Sequence, residues 1–101
     1  MGGKYIISHD VGTGGSKAVL TDLEGKIISF RFEPYCTDYC RPAWAEQDPE
    51  DWWKAVTEST RKLVEETGTD PDEVLGIGYA TQMLGVLPMD DAGLPLRPAI
   101  I

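Results

Sequence analysis

Histidine occurs once in this sequence and cysteine twice, which leaves few of the soft ligands that a zinc or iron centre needs. Cys36 and Cys40 stand four positions apart in a loop-like stretch and His9 is distant along the chain, so reduced thiols without a metal are expected. Positive charge is also scarce: 9 Lys and Arg face 17 Asp and Glu, a net charge of -8. Such a surface repels nucleic-acid phosphates and anionic lipid, so neither nucleic acid nor membrane is expected as a partner. No stretch reaches the ~18 consecutive apolar residues of a membrane-spanning helix. The apolar residues near the start are interrupted at Ser8, His9 and Asp10 before any small-residue cleavage site, and an untargeted, cytoplasmic protein is expected.

What is present suits one modest core, since 42% of 101 residues are apolar. Tyr5–His9, Lys17–Thr21 and Ile27–Phe32 are rich in β-branched and aromatic residues and read as three antiparallel strands. They are joined by a turn over Asp10–Gly15 and another at Asp22–Lys26. Glu33 to Gln47 contains Pro34 and Pro42 and no sustained period, so it reads as a long connection pinned by Tyr35, Tyr39 and Trp44.

Asp48 is a suitable cap for a helix with Pro49 at its first position and Glu50 and Asp51 in its first turn, where carboxylates meet the positive end of the dipole. Trp52, Val56, Ser59 and Leu63, with Trp53, Thr60 and Val64 beside them, recur at helical spacing and predict one buried stripe ending near Glu66, with both tryptophans in the core. Gly68 stops the helix. Asp70–Glu73 could add one further turn, and the nearly all-apolar Val74–Ala80 predicts a strand covered on both faces. Gly85–Met89 and Leu94–Ala99 read as extended chain around a turn at Asp90–Gly93. The apolar, β-prone end Ala99-Ile100-Ile101 suggests a segment of a longer protein.

Asp10-Val11-Gly12-Thr13-Gly14-Gly15-Ser16-Lys17 carries the chemistry. A carboxylate closes one strand, glycines permit a tight turn, and amides and hydroxyls of the turn can surround an oxyanion while Lys17 adds positive charge. Asp10 is the candidate magnesium anchor, because that hard ion takes one or two carboxylates and keeps the rest of its shell for water and phosphate oxygens. The Walker and dinucleotide loops both lead into a helix, whereas here a strand follows, so both are excluded. A glycine-rich hairpin whose Asp and Thr merely satisfy backbone amides remains the alternative. His9 and Asp10, adjacent on a strand, point to opposite faces and cannot pair; His9 is read as structural.

Asp10-Val11-Gly12-Thr13 with Lys17 resembles the first phosphate motif of the actin, hexokinase and heat-shock chaperone ATPase superfamily. Trp44-Ala45-Glu46-Gln47-Asp48-Pro49-Glu50-Asp51-Trp52-Trp53 resembles the W-x-E-Q-D-P-x-x-W-W segment of the FGGY carbohydrate kinases, xylulokinase-like members above all. Ile77–Gly85 and Leu96-Arg97-Pro98-Ala99-Ile100-Ile101 are similar to that family's strand and its approach to the sugar. The resemblance implies an α/β fold: a partial ribonuclease H-like domain whose mixed sheet has an antiparallel three-stranded meander plus a helix. It makes residues 1–101 the N-terminal part of the first FGGY kinase domain, truncated.

By resemblance the whole protein is an ATP-dependent sugar kinase using ATP and Mg2+, with a pentulose such as xylulose as the expected substrate and homo-oligomerisation compatible with it. Asp10, Gly12, Thr13, Gly14 and Lys17 would meet phosphate, Asp10 also the metal, and Gln82, Met83 and Leu84 the sugar. Xylulokinases commonly carry Gln-Met-His-Gly there and glycerol kinases Gln-Arg-Glu, whereas this chain has Gln82-Met83-Leu84-Gly85, and Leu84 cannot hydrogen-bond a hydroxyl. The catalytic base is expected downstream, so the segment alone should not turn over. Two other readings stand beside this one: a metal-dependent nuclease of ribonuclease H type, with Asp10 as one of several carboxylates, and a noncatalytic module that pairs through exposed sheet edges.

Overall fold

Alternation of apolar and polar residues folds Tyr5–Val11 (β1), Gly15–Asp22 (β2) and Ile27–Pro34 (β3) into the expected antiparallel meander. The computed structural model describes residues 3–101. The strands run further than the composition suggests: Asp10 pairs with Lys17 and Val11 with Ser16, so the first turn shrinks to Gly12–Gly14. At the second turn the Asp22 carboxylate accepts the amides of Glu24 and Lys26, each at 2.9 Å, and Gly25 takes φ 87°.

Helix α1 spans Pro49–Thr67. Asp48 caps it by accepting the Glu50 amide at 2.9 Å, and Gly68 ends it in the left-handed conformation, φ 66°, donating its amide to the Val64 carbonyl. A single 3-10 turn, Pro71–Glu73, leads into β5, Val74–Thr81, which lies parallel to β1 and completes the sheet order β3-β2-β1-β5. Two short strands, Glu46–Gln47 (β4) and Ala99–Ile100 (β6), pair antiparallel beside this sheet.

Helix α1 packs on β2 and β3 and touches β1. Ile7, Ala18, Leu20 and Leu63 form the centre of the core, with Tyr5, Val64 and Val74 against it. Lys62 reaches Glu33 at 2.6 Å and Arg31 reaches Glu66 at 3.1 Å, tying the flank of the helix to β3; partly exposed pairs of this kind contribute about 0–1 kcal/mol each.

Two expectations fail. Trp53 is 62% exposed and outside the core, because the buried stripe of α1 runs through Ala55, Val56, Ser59 and Leu63, a quarter-turn away from it. The strand expected to be covered on both faces, β5, is exposed along nearly its whole length among the described residues. It forms the edge of the sheet beyond β1, and the helix lies over the other side. The face of the sheet turned away from α1 presents Ile28, Phe30 and Phe32, all exposed, while Ser29, Arg31 and Glu33 alternate toward the helix side.

His9 faces the helix as a structural residue. It is 2% exposed, its Nε2 lies 2.9 Å from the Thr60 hydroxyl, and its ring stacks on Tyr79 with centroids 5.3 Å apart. Burial holds its pKa below the ordinary histidine value, and Nδ1 has no partner among the described residues. The folded chain therefore protonates His9 less readily than the unfolded chain, which takes up a proton below about pH 6.5. The stability this supplies is present above that pH and is lost as pH falls through it. Thermal melts followed by circular dichroism should show the midpoint falling between about pH 7 and pH 5, with a shallower fall in His9→Gln; equal slopes would show that His9 makes no contribution.

Candidate functional site

The turn between β1 and β2 is narrow because Gly15 permits it. A β-carbon at Gly15 would stand 2.5 Å from the Phe32 ring and 2.6 Å from the Glu33 carbonyl oxygen, so β3 can close over β2 only where no side chain exists. Gly12 donates to the Gly15 carbonyl at 3.0 Å and closes the turn.

Each of the three turn carbonyls is taken by a donor from elsewhere. The Tyr35 hydroxyl and the Gln82 amide nitrogen, the latter at 2.9 Å, donate to the Gly12 carbonyl. Gln47 Nε2 donates to the Thr13 carbonyl at 2.6 Å, and the Tyr35 amide to the Gly14 carbonyl at 3.4 Å. The amides of Thr13 and Gly14 find no acceptor among the described residues, and both residues are exposed at the tip. A turn with its carbonyls satisfied inward and its amides free outward is a concavity for anions.

Asp10 and Lys17 face each other across β1 and β2, and both are exposed on the sheet face turned away from α1. Lys17 Nζ lies 5.9 Å from the Phe30 ring centroid. Beneath them a shallow hollow of about 360 Å³ is lined by Ser8, Asp10, Lys17, Gly78 and Ala80. A β-carbon at Gly78 would meet nothing within 4 Å, so the hollow is floored by bare backbone. Among the described residues no three His, Cys, Asp or Glu side chains cluster as a metal cage. A single carboxylate beside an anion-receiving turn fits magnesium carried in by phosphates, which needs one or two protein oxygens rather than a cage.

The long connection, the start of α1 and the segment after β5 converge on this turn. Asp38 and Glu46 exchange backbone hydrogen bonds at 2.8 and 2.9 Å, folding the connection back on itself. Glu46 Oε2 accepts from Arg97 at 2.5 Å and Glu46 Oε1 from the Cys40 thiol at 3.0 Å. These two hydrogen bonds hold the Glu46 carboxyl below its ordinary pKa, and the hydrogen bond to Glu46, with its charge adding, pushes the Cys40 thiol up. Burial raises the Tyr35 phenol, with the nearby Gln82 amide opposing the shift and the nearby Asp10 charge adding to it.

Gln47, 2% exposed, sits at the centre. Its Nε2 also donates to the Thr37 hydroxyl at 2.8 Å, and its Oε1 accepts from the Trp52 indole and from Gln82 Nε2, each at 2.8 Å. A cleft of about 300 Å³ opens beside this network between Val11, Trp52, Gln82, Val86 and Ile101.

Of the residues singled out from the sequence, Asp10, Gly12, Thr13, Gly14 and Lys17 come together at the hairpin, and Gln82 joins them through the Gly12 carbonyl. Met83 and Leu84 do not join: they are 85% and 94% exposed, and Leu84 turns the chain with φ 65°. Trp44 stays on the loop surface under the Arg41 guanidinium, 4.8 Å from its ring. Tyr35 and Gln47 receive no site role from the sequence, and Gly15 only a share in the tight turn. Gln47 enters there as one residue of the W-x-E-Q-D-P-x-x-W-W segment, and its type assigns it no role until the fold brings it against the turn.

Comparison with known proteins gives a consistent result. The description of the FGGY family of carbohydrate kinases, N-terminal domain, matches residues 5–101. Glycerol kinase 2 of Thermotoga maritima is 33% identical over 97% of this chain and 20% of its own length. Xylulose kinase of Escherichia coli is 35% identical over 94% of this chain and 19% of its own. The crystal structure of gluconate kinase from Lactobacillus acidophilus superposes with a TM-score of 0.88 at 30% identity, covering 96% of this chain and 19% of that one. The expected fold class therefore holds: this is part of the actin-like ATPase fold of those kinases. The chain spans about a fifth of the length of the curated relatives it matches.

The glycines of the turn should separate cleanly on substitution. Gly15→Ala drives a β-carbon into backbone and is expected to destabilise the chain by about 2 kcal/mol or more. Gly14→Ala enters open space without a positive φ and should change stability by less than about 0.5 kcal/mol. Urea unfolding of the two variants measures the contrast, and equal midpoints would refute the close approach at Gly15.

Proposed function

We propose, for a chain that belongs to the FGGY family of carbohydrate kinases, that residues 1–101 are the N-terminal part of the first domain of an enzyme that phosphorylates a sugar or polyol hydroxyl at the expense of ATP. The observation that carries this reading is the turn itself: its carbonyls are consumed by Tyr35, Gln82 and Gln47, its outer amides are open, and Asp10 and Lys17 stand next to it.

Magnesium-ATP supplies the γ-phosphoryl group and part of the charge neutralisation when bound. In this reading the Thr13 and Gly14 amides and the Thr13 hydroxyl receive phosphate oxygens, and Gly12 keeps the turn tight enough for the backbone to approach them. Lys17 would neutralise phosphate charge, and Asp10 would help hold the metal. Gln82 marks the acceptor side, with Met83 and Leu84 exposed next to it as contacts for the sugar. The base that removes the proton of the acceptor hydroxyl would come from sequence beyond these residues, so this segment positions phosphate and acceptor and does not itself catalyse.

A pentulose such as xylulose is the substrate we favour, on the likeness of the W-x-E-Q-D-P-x-x-W-W segment; the relatives named for glycerol and gluconate keep the panel of acceptors broad. Leu84 supports an acceptor that presents carbon rather than a hydroxyl at that position. Dependence on ATP supports a cytoplasmic location, and no helix among the described residues is long and apolar enough to cross a membrane.

ATP consumption by the full-length protein, with xylulose, ribulose, glycerol and gluconate offered in turn, tests the reading. Turnover with one acceptor is expected, falling about a hundredfold or more in Asp10→Ala. No turnover with any of them would overturn it, and cleavage of an RNA–DNA hybrid would replace it with the nuclease reading.

A further inference from the structure

The polarity of the carboxamide network at the hairpin is fixed by its ends. An indole N–H can only donate, so Gln47 must turn Oε1 toward Trp52. A backbone carbonyl can only accept, so Nε2 of the same side chain must face Thr13. Gln82 Nε2 then lies between two acceptors, Gln47 Oε1 and the Gly12 carbonyl, each within 2.9 Å. Every donor and acceptor of Gln47 is used, and no rotation of its amide leaves the network satisfied. One atom is left over: the Gln82 carboxamide oxygen is buried with no partner among the described residues.

We infer that Gln47 is a positioning residue that couples the phosphate turn to the acceptor side of the site. The inference rests on the kinase reading above, in which the turn holds ATP phosphates and the segment beginning at Gln82 meets the acceptor. A hydroxyl of the acceptor, or a water it orders, donates to the orphaned Gln82 oxygen. That bond fixes the Gln82 amide, whose nitrogen holds the Gly12 carbonyl directly and the Thr13 carbonyl through Gln47. Because these carbonyls set the direction of the turn, acceptor binding orders the Thr13 and Gly14 amides for phosphate, and nucleotide binding orders Gln82 for the acceptor. Gln47 touches neither ligand; Trp52 and Thr37 hold its amide in the single orientation that links the two.

The full-length protein tests this with the acceptor identified by the turnover panel. Affinity for a nonhydrolysable ATP analogue is measured by titration calorimetry with and without saturating acceptor, in wild type, Gln47→Leu and Gln47→Glu. In wild type the acceptor should tighten the analogue by about 5- to 100-fold. In Gln47→Leu that factor should fall to near one and kcat by about tenfold or more, with acceptor affinity in the absence of nucleotide changed less than about threefold. Gln47→Glu keeps the shape and the acceptor facing Trp52 but cannot donate to Thr13, and it carries the same expectation if the leucine variant does not fold. An undiminished factor in a folded variant, or no coupling in wild type, overturns the inference, as does failure of both variants to fold, which would make Gln47 a packing residue. A wild type that phosphorylates no acceptor removes the kinase reading and this inference with it, and the panel reports that before any variant is made.

Discussion

A carbonyl turned toward protein must find a donor, and at the β1–β2 turn this requirement organises much of the molecule. The oxygens of Gly12, Thr13 and Gly14 are turned toward protein, where Tyr35, Gln82 and Gln47 meet them. Those donors come from the end of β3, from β4 before the helix, and from the residue after β5, so three separate stretches must close on one turn. The short pairing of β4 with β6 and the Glu46–Arg97 ion pair bring the last part of the chain to the same place. What is left without a partner among the described residues once the carbonyls are satisfied is the pair of Thr13 and Gly14 amides, on which the proposed preference for negative charge rests.

The two faces of the sheet have different tasks. The face under α1 is closed by Ile7, Ala18, Leu20 and Leu63, with polar Ser16 and His9 admitted at its margin. The opposite face carries Asp10, Lys17 and Phe32 in one row beside the turn, with Phe30 and Ile28 successively further away, so charged and apolar side chains share one surface. Phe30 joins them, since its ring lies within reach of the Lys17 ammonium.

Much of this could be read from residue types. The meander was legible because β-branched runs alternate with glycine and Asp turns, and α1 because Asp48, Pro49 and Gly68 mark both ends. The hairpin was legible because Asp10, Gly12, Thr13 and Lys17 lie within one octapeptide. Burial was less so: Trp53 has the size of a core residue but the wrong angle on the helix, and β5 has the composition of a central strand but the position of an edge. Gln47 and Gln82, 35 residues apart, could not be paired from sequence, because their contact depends on a parallel strand and a helix start meeting in space.

The two cysteines, free and exposed in the loop that follows β3, are chemically unequal. The thiolate is the reactive form, and the hydrogen bond to the Glu46 carboxylate makes the Cys40 thiol harder to ionise, whereas Cys36 makes no such bond among the described residues. An alkylating fluorophore at neutral pH should therefore settle on Cys36 first. Its neighbour in sequence is Tyr35, whose hydroxyl and amide both grip the β1–β2 turn, so a dye there would convert small movements of that turn into an optical signal without any engineered attachment point.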